Sequence, residues 1–175
     1  RRLATAHDDQ SIRMWDVRTG TQLASWPDQE SKTVSMAFSP DGTRLACSVA
    51  GGHALVWEFT PNGQRPTAAV TLVGPGCNGR LSAPAVSPDD AWVALGYGEE
   101  GQVVIWDARS RCVVRVLQGH GAFVRSVVFS PDGSRLATGS EDGSVRLWDP
   151  VSGDELLVLR GHEGFIHTVT FSPDG

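Results

Sequence analysis

The chain has 175 residues, of which 40% are hydrophobic and 20% charged, and its net charge is −5 at pH 7. This length suits one ordinary domain or a repeat array that buries its own core. Nucleic acid and anionic membranes repel an acidic chain, and no apolar run approaches the roughly 20 residues that span a bilayer. We therefore expect no nucleic-acid partner and no membrane partner.

Cysteine spacing and glycine content narrow the class of protein further. The three cysteines, Cys47, Cys77 and Cys112, are widely spaced and form no Cys-x-x-Cys pair. This pattern argues against a disulfide framework or a metal site and favours a reducing, cytoplasmic location. The 20 glycines and 10 prolines leave few stretches that are long enough for helices. The composition therefore favours β structure.

Two sequence markers recur with the same period. The tetrapeptide Ser-Pro-Asp-Gly begins at Ser39, Ser130 and Ser172, and a near copy, Ser-Pro-Asp-Asp, begins at Ser87. These starts lie 48, 43 and 42 residues apart. Four tryptophans, each followed by an acidic residue, are spaced 42, 49 and 42 residues apart: Trp15, Trp57, Trp106 and Trp148. Both markers predict a structural repeat of about 42 residues.

In chain order, the markers divide the sequence into five segments. A partial unit comes first, followed by two degenerate repeats, one complete repeat and one further innermost strand: residues 1–26, 27–75, 76–118, 119–160 and 161–175. The 27–75 repeat is longer because about six extra residues lie around Thr60–Thr67. In the last segment, Phe165–Phe171 is the predicted strand.

The complete repeat reads as four short strands. A β-branched run and three further strands are separated by glycine-containing turns, and the predicted strands are Phe123–Phe129, Leu136–Ser140, Val145–Trp148 and Glu155–Leu159. The first turn, Ser130-Pro-Asp-Gly, has proline second and glycine fourth, which fits a type I turn in a hairpin. Four antiparallel strands at this repeat length are typical of a propeller blade.

The complete repeat resembles the WD-repeat β-propeller family. The resemblance rests on Gly119-His120, Ser130-Pro-Asp-Gly, Leu136-Ala-Thr-Gly-Ser, Asp142, Val145-Arg-Leu-Trp-Asp149 and Ser152-Gly153, which occur in family order. It implies an all-β fold of about four WD-repeat blades, each with four antiparallel strands. We expect these blades to form an open arc or half of a larger ring.

The resemblance also implies a buried hydrogen-bond network in the complete repeat. Its predicted members are His120, Ser140, Asp142 and Trp148, with the serine hydroxyl accepting from the indole N–H. We interpret these residues as structural and not as a catalytic triad, because the hydroxyl is occupied inside a sheet. At the histidine position, the degenerate repeats carry Gln29 and Cys77, and the latter is interpreted as a buried filler.

One rim of the propeller is the predicted binding surface. If the family geometry holds, it gathers Asp8, Glu99, Glu100 and Glu141 from one set of loops, and Phe123, Arg125, Phe165 and His167 from the other. Exposed aromatic side chains beside charges suit a protein-binding hot spot. In the alternative interpretation, the acids only solvate turns and each phenylalanine packs against a neighbouring blade.

These features favour a non-enzymatic scaffold that presents its rim to a protein or peptide, with no cofactor and no metal. The alternative is a regulatory or ligand-sensing arm of a larger signalling protein, such as a kinase or an NTPase, whose catalytic domain is absent from this sequence. Exposed apolar faces at both ends of an arc also predict association. Either a homodimer or further blades of a parent chain would complete the ring, with eight blades in the homodimer.

Overall fold

A computed structural model describes residues 2–26, 32–59, 70–73 and 80–175. The described residues form strands and turns, with no helix long and apolar enough to cross a membrane. The strands are β1 (Arg2–Ala6), β2 (Ile12–Asp16), β3 (Gln22–Trp26), β4 (Thr33–Phe38), β5 (Arg44–Val49), β6 (His53–Glu58), β7 (Val70–Val73), β8 (Ala85–Val86), β9 (Trp92–Tyr97), β10 (Gln102–Asp107), β11 (Val113–Leu117), β12 (Val124–Phe129), β13 (Leu136–Ser140), β14 (Val145–Trp148) and β15 (Glu155–Leu159).

The strands form four antiparallel sheets that follow one another along the chain. Sheet 1 contains β1 to β3, sheet 2 contains β4 to β7, sheet 3 contains β8 to β11, and sheet 4 contains β12 to β15. The predicted all-β fold of blade-like sheets is therefore confirmed. In sheet 4 the second to fourth strands have the predicted bounds, and the innermost strand begins one residue late, at Val124.

The Ser-Pro-Asp-Gly turns connect the first and second strands of a sheet. In sheet 4, the Gly133 N–H donates to the Ser130 carbonyl at 2.9 Å, and Gly133 has a φ of +73° that glycine adopts without strain. The Asp132 carboxylate accepts from the Ser130 hydroxyl and from the Ser134 N–H. These hydrogen bonds lower the pKa of Asp132 to about 2. The turn is thus closed by its own polar side chains.

The hydrophobic core lies between consecutive sheets. Strand side chains alternate, so that Leu45 and Cys47 face sheet 1 while Ala46 faces sheet 3. The described residues form three clusters, which join sheet 1 to sheet 2, sheet 2 to sheet 3, and sheet 3 to sheet 4. None of these clusters joins sheet 4 back to sheet 1. Each inner sheet therefore buries both faces, and the outer two bury one.

A glycine allows close approach where one sheet meets the next. A Cβ atom on Gly96 of β9 would lie 2.4 Å from the Val124 carbonyl oxygen of β12, which is too short for any side chain. Gly139 of β13 has the same relation to Ile166, whose side chain would lie 2.5 Å from an added Cβ. Since Val124 and Ile166 are 42 residues apart, Ile166 packs on sheet 4 as Val124 packs on sheet 3.

Residues 161–175 contain no strand, so the predicted strand Phe165–Phe171 is wrong as secondary structure. A strand needs a hydrogen-bonded neighbour, and no described strand is available to pair with this segment. The segment is held instead by the Ile166 N–H donating to the Ser140 carbonyl at 3.0 Å and the Val169 N–H donating to the Ser126 hydroxyl at 3.1 Å. It lies where the innermost strand of a further sheet would pack.

We predict that Gly96→Ala destabilises the chain by about 1–3 kcal/mol, because the added methyl group forces β12 away from β9. Gly164→Ala is the matched control, since no atom lies within 4 Å of its added Cβ. Urea unfolding monitored by tryptophan fluorescence measures both variants. Equal midpoints for the two variants would show that the sheets do not depend on this close approach.

Candidate functional site

The buried polar network of sheet 4 runs from an indole to a carboxylate. Trp148 Nε1 donates to the Thr138 hydroxyl at 2.8 Å, and this hydroxyl lies 2.8 Å from His120 Nε2. His120 Nδ1 lies 2.9 Å from Asp142 Oδ2. Because an ionised carboxylate can only accept, Nδ1 carries the proton of the neutral imidazole and Nε2 is left as an acceptor. Thr138 donates to Nε2, and Nδ1–H donates to Asp142.

The hydroxyl in this network is Thr138, which corrects the prediction of Ser140. In the strand register Leu136 lies opposite Trp148 and Thr138 lies opposite Arg146, so the indole reaches the threonine first. Ser140 lies at the end of the strand, where its hydroxyl donates to the Ala122 carbonyl at 2.8 Å and accepts from the Asp142 N–H at 3.1 Å. Ser140 therefore closes the neighbouring turn.

Ser144 is a further member that the sequence interpretation missed. Its hydroxyl donates to Asp142 Oδ1 at 2.6 Å and its backbone N–H donates to the same oxygen at 2.8 Å. The Asp-x-Ser spacing is the sequence pattern that identifies Ser144, because Ser11 makes the same two hydrogen bonds to Asp9 in sheet 1. Serine two residues after aspartate is typical of such a turn.

Both titratable groups of the network have lowered pKa values. Burial lowers the pKa of His120, and the Asp142 carboxylate only partly opposes this effect. Burial alone would raise the pKa of Asp142, but hydrogen bonds from Ser144, the Gly121 N–H and His120 bring it well below its usual value. The network therefore consists of a neutral imidazole and an ionised carboxylate, with each proton already shared between two groups.

The other sheets keep only parts of this network. In sheet 1 the Trp15 indole donates to the Thr5 hydroxyl at 2.9 Å, and His7 Nε2 lies 3.3 Å from that hydroxyl. The corresponding hydroxyl position is Cys47 in sheet 2 and Leu95 in sheet 3. Trp106 Nε1 is consequently buried without a hydrogen-bond partner among the described residues. The predicted histidine-position residues Gln29 and Cys77 lie outside the described residues.

A second polar group lies on the predicted rim, at the boundary of sheets 3 and 4. Glu141 Oε1 accepts from Arg125 Nη2 at 2.7 Å and from Arg80 Nη1 at 3.3 Å. The Arg80 guanidinium lies 4.4 Å from the centre of the Phe123 ring, and that of Arg125 lies 5.6 Å from the centre of the Phe165 ring. We call these five residues the Glu141 cluster.

The two phenylalanines of the cluster differ in exposure. Phe123 is only 4% exposed beneath Arg80, so it is not the exposed rim aromatic that the sequence predicted. Phe165 is 57% exposed and keeps one face open. The packing interpretation therefore describes Phe123, and the exposed-aromatic interpretation describes Phe165.

The remaining rim residues lie apart from Glu141 or at its margin. Glu99 Oε2 lies 3.9 Å from Arg80 Nη1, whereas Glu100 and His167 are exposed and make no ion pair with a described residue. Asp8 is exposed and pairs with Lys32 Nζ at 2.6 Å, which ties sheet 1 to sheet 2. The structure therefore brings together four of the eight predicted rim residues: Phe123, Arg125, Glu141 and Phe165.

Arg80 is the rim residue that the sequence interpretation missed. It lies 43 residues before Phe123, which itself lies 42 residues before Phe165, so the three occupy the same position in successive repeats. The repeat period is therefore the signal that identifies Arg80. The sequence around Arg80 is degenerate, and the first described strand of sheet 3 begins only at Ala85. The equivalence of Arg80 with the two phenylalanines is therefore difficult to recognise.

Comparison with known proteins agrees with the repeat fold. Three segments of the chain, residues 20–58, 111–149 and 153–175, match the WD40 family model, described as WD domain, G-beta repeat. The chain belongs to the WD40 family. WD40-repeat proteins generally serve as scaffolds for protein interactions. The family model leaves residues 59–110 unmatched, and these contain most of sheet 3, where the Thr138 position is Leu95.

Two relatives illustrate how this WD40 chain compares with longer proteins. It is 34% identical over 133 residues to protein groucho of Drosophila melanogaster, an alignment that covers 73% of this chain and 18% of that protein. It is 30% identical over 157 residues to eukaryotic translation initiation factor 3 subunit I of Culex quinquefasciatus, covering 78% and 44%. The chain thus spans less than half the length of either relative.

A solved structure shows the same fold. One chain of the crystal structure of the mitotic checkpoint complex superposes with a TM-score of 0.81 at 21% sequence identity. The match covers 99% of this WD40 chain and 51% of that chain. At this level of identity the comparison shows the arrangement of blades.

We predict that Trp148→Phe costs about 1 kcal/mol more stability than Trp106→Phe. Both changes remove the same buried ring volume, but only Trp148 donates a hydrogen bond, and its loss leaves Thr138 without a donor. Circular dichroism during urea unfolding gives both free energies of unfolding. A larger loss for Trp106→Phe would contradict a stabilising role of the network.

Proposed function

We propose that this WD40 chain is a non-enzymatic, cytoplasmic scaffold that binds a protein or peptide at the Glu141 cluster. The observation that carries the proposal is the exposed Phe165 ring, which lies beside an arginine whose position is fixed by a shared carboxylate. Aromatic and arginine side chains dominate the binding energy of protein interfaces. A preformed arrangement also reduces the entropy lost on binding.

The charges of the cluster favour a macromolecular partner over a small molecule. Glu141 is largely buried between two arginines, whereas half of the Arg80 side chain and more than half of Phe165 are exposed. These exposed groups are large side chains on the rim, of the kind that anchor protein interfaces. A partner surface that covers Phe165 would exclude water from the neighbouring ion pairs and strengthen them.

The chemistry of the network supports a non-enzymatic role. The Thr138 hydroxyl is fully buried and engaged by both Trp148 and His120, so it cannot approach a substrate. Of the described cysteines, burial raises the pKa of the Cys47 thiol and so keeps it protonated, and Cys112 is an exposed free thiol. Free thiols support a reducing, cytoplasmic location. No described contact favours the alternative role as the arm of a kinase or an NTPase.

A peptide-display selection tests the binding surface. The purified chain is panned against a random peptide library, and the enriched peptides are synthesised and measured by fluorescence anisotropy. We expect Phe165→Ser to weaken their binding roughly tenfold or more, because the aromatic anchor is lost. Val151→Ser is the matched control, since Val151 is 63% exposed beside Pro88 and Gly133 at the opposite rim. Binding that is lost with Val151→Ser and kept with Phe165→Ser would contradict the proposal.

The outward face of sheet 4 supports association with a further blade-like sheet. In sheet 3 the equivalent face is covered by sheet 4, so that Val103 and Leu117 are 0% and 3% exposed. In sheet 4, Leu157 and Leu159 are 47% and 49% exposed, although Ile166 covers the inner end of the same face. We propose that a second copy or further blades of a parent chain cover these leucines.

We predict that the isolated chain self-associates and that Leu157→Glu with Leu159→Glu reduces this association, because the apolar contact acquires charge. Light scattering coupled to size exclusion measures the mass at several concentrations. Val113→Glu, on the outer strand of sheet 3, is the control and should leave the mass unchanged. A cooperative 18.7 kDa monomer at every concentration would contradict this prediction.

A further inference from the structure

One Ser-Pro-Asp turn ends in an unusual residue. Asp90 occupies the fourth position, where the other three copies have Gly42, Gly133 and Gly175. All four residues have a positive φ, +60° for Asp90 and +72°, +73° and +97° for the glycines. Aspartate tolerates this conformation less readily than glycine does. The turn therefore carries a carboxyl group at a position where glycine would adopt the same φ with less strain.

Asp90 and Asp41 of the neighbouring turn line the same cleft at the boundary between sheets 2 and 3. The Asp90 Oδ1 atom is buried without a hydrogen-bond partner among the described residues. Asp41 is held in place by the Ser39 hydroxyl at 2.7 Å and by the Thr43 N–H at 2.7 Å. Burial opposes ionisation of Asp41, but these donors outweigh it and lower its pKa. Asp41 is thus an ionised acceptor.

The surrounding cations leave the Asp90 carboxyl group unpaired. Arg44 Nη1 donates to the Asp90 backbone carbonyl, and Arg44 Nε is paired with Glu58 at 3.2 Å. Asp89, Asp107 and Arg109 line the same cleft of about 430 Å³, together with Thr43 and Ala91. No described cation lies within 4.0 Å of the Asp90 carboxylate.

The titration of Asp90 agrees with this geometry. Burial raises the pKa of Asp90, the neighbouring Asp41 and Asp89 carboxylates raise it further, and Arg44 opposes the increase only partly. Two carboxyl groups that share a site cannot both ionise without repulsion. Asp41 is fixed in its ionised form by three donor groups of Ser39 and Thr43. Asp90 is therefore the group that takes the proton.

We propose that Asp90 and Asp41 form a proton-dependent joint between the second and third sheets. With a proton, the Asp90 carboxyl group donates a hydrogen bond to the Asp41 carboxylate across the boundary. Without it, two carboxylates share a cleft in which neither Arg44 nor Arg109 forms an ion pair with Asp90. The joint is tighter in acid and looser at neutral pH, so it is a regulatory device distinct from the rim that binds the partner.

The direction of the pH dependence follows from linkage. Since the pKa of Asp90 is higher in the folded chain than its ordinary value of 3.8, folding favours the protonated form. The stability that this group contributes is fully present below pH 3.8 and is lost as the pH rises through the raised pKa. Removing the charge at Asp90 should therefore stabilise the chain at neutral pH and have little effect in acid.

Urea unfolding of Asp90→Asn at pH 4.0 and pH 7.5 tests the joint. Asparagine keeps the size of the side chain and tolerates the positive φ, so only the charge changes. We expect a higher urea midpoint than wild type at pH 7.5 and nearly equal midpoints at pH 4.0. The matched control is Asp132→Asn, which should lower the midpoint at pH 7.5, because the pKa of Asp132 is lowered to about 2.

Carbon-13 NMR titration of the Asp90 carboxyl group provides a second measurement that needs no unfolding. We expect Asp90 to titrate above its ordinary range in the wild-type chain and to return towards that range in Asp41→Asn. The proposal is overturned if Asp90→Asn shifts the midpoint equally at both pH values, since strain alone would then explain it. Titration of wild-type Asp90 at or below pH 3.8 would also overturn it, whether or not Asp41→Asn folds.

Discussion

Contact between neighbouring sheets is the constraint on which this molecule depends, because a sheet of three or four short strands cannot bury either face alone. The close approach of Val124 to Gly96 places β12 on the face of β9, and the apolar clusters then fill the space between sheets. The same requirement leaves Leu157 and Leu159 exposed on sheet 4, where no described sheet follows. Burial in this chain is therefore a property of pairs of sheets.

Each boundary between sheets satisfies its polar groups in a different way. Sheet 4 uses the complete network from Trp148 to Asp142, whereas in sheet 3 the Tyr97 hydroxyl reaches across to the Gly52 carbonyl of sheet 2 at 2.8 Å. That bond holds a turn of sheet 2, where Cys47 occupies the hydroxyl position and the described residues form no such network. Apolar packing compensates for the missing hydroxyl at Leu95, while the Trp106 N–H has no hydrogen-bond partner among the described residues. The degenerate repeats thus keep the shape of the blade through other interactions.

Repeat spacing predicts the sheets well because the turns and tryptophans recur once per blade. In sheet 4 the predicted bounds of the second to fourth strands match the structure at every residue. It does not distinguish Thr138 from Ser140, since both hydroxyls lie on one face of β13 and only the register with β14 selects between them. Likewise Phe123 and Phe165 are equivalent in sequence, and their exposure differs because Arg80 covers the first. Contacts that cross from one repeat to the next are invisible to a pattern within one repeat.

The position before each innermost strand makes a different contact in each repeat. It is occupied in turn by Lys32, Arg80, Phe123 and Phe165. Lys32 binds Asp8 of sheet 1, and Arg80 covers Phe123 while binding Glu141 of sheet 4, so both cations tie adjacent sheets together. Of the two phenylalanines in this series, only Phe165 is exposed. Where a neighbouring sheet contacts this position, its residue holds the boundary together, and Phe165, which no described sheet covers, stays exposed.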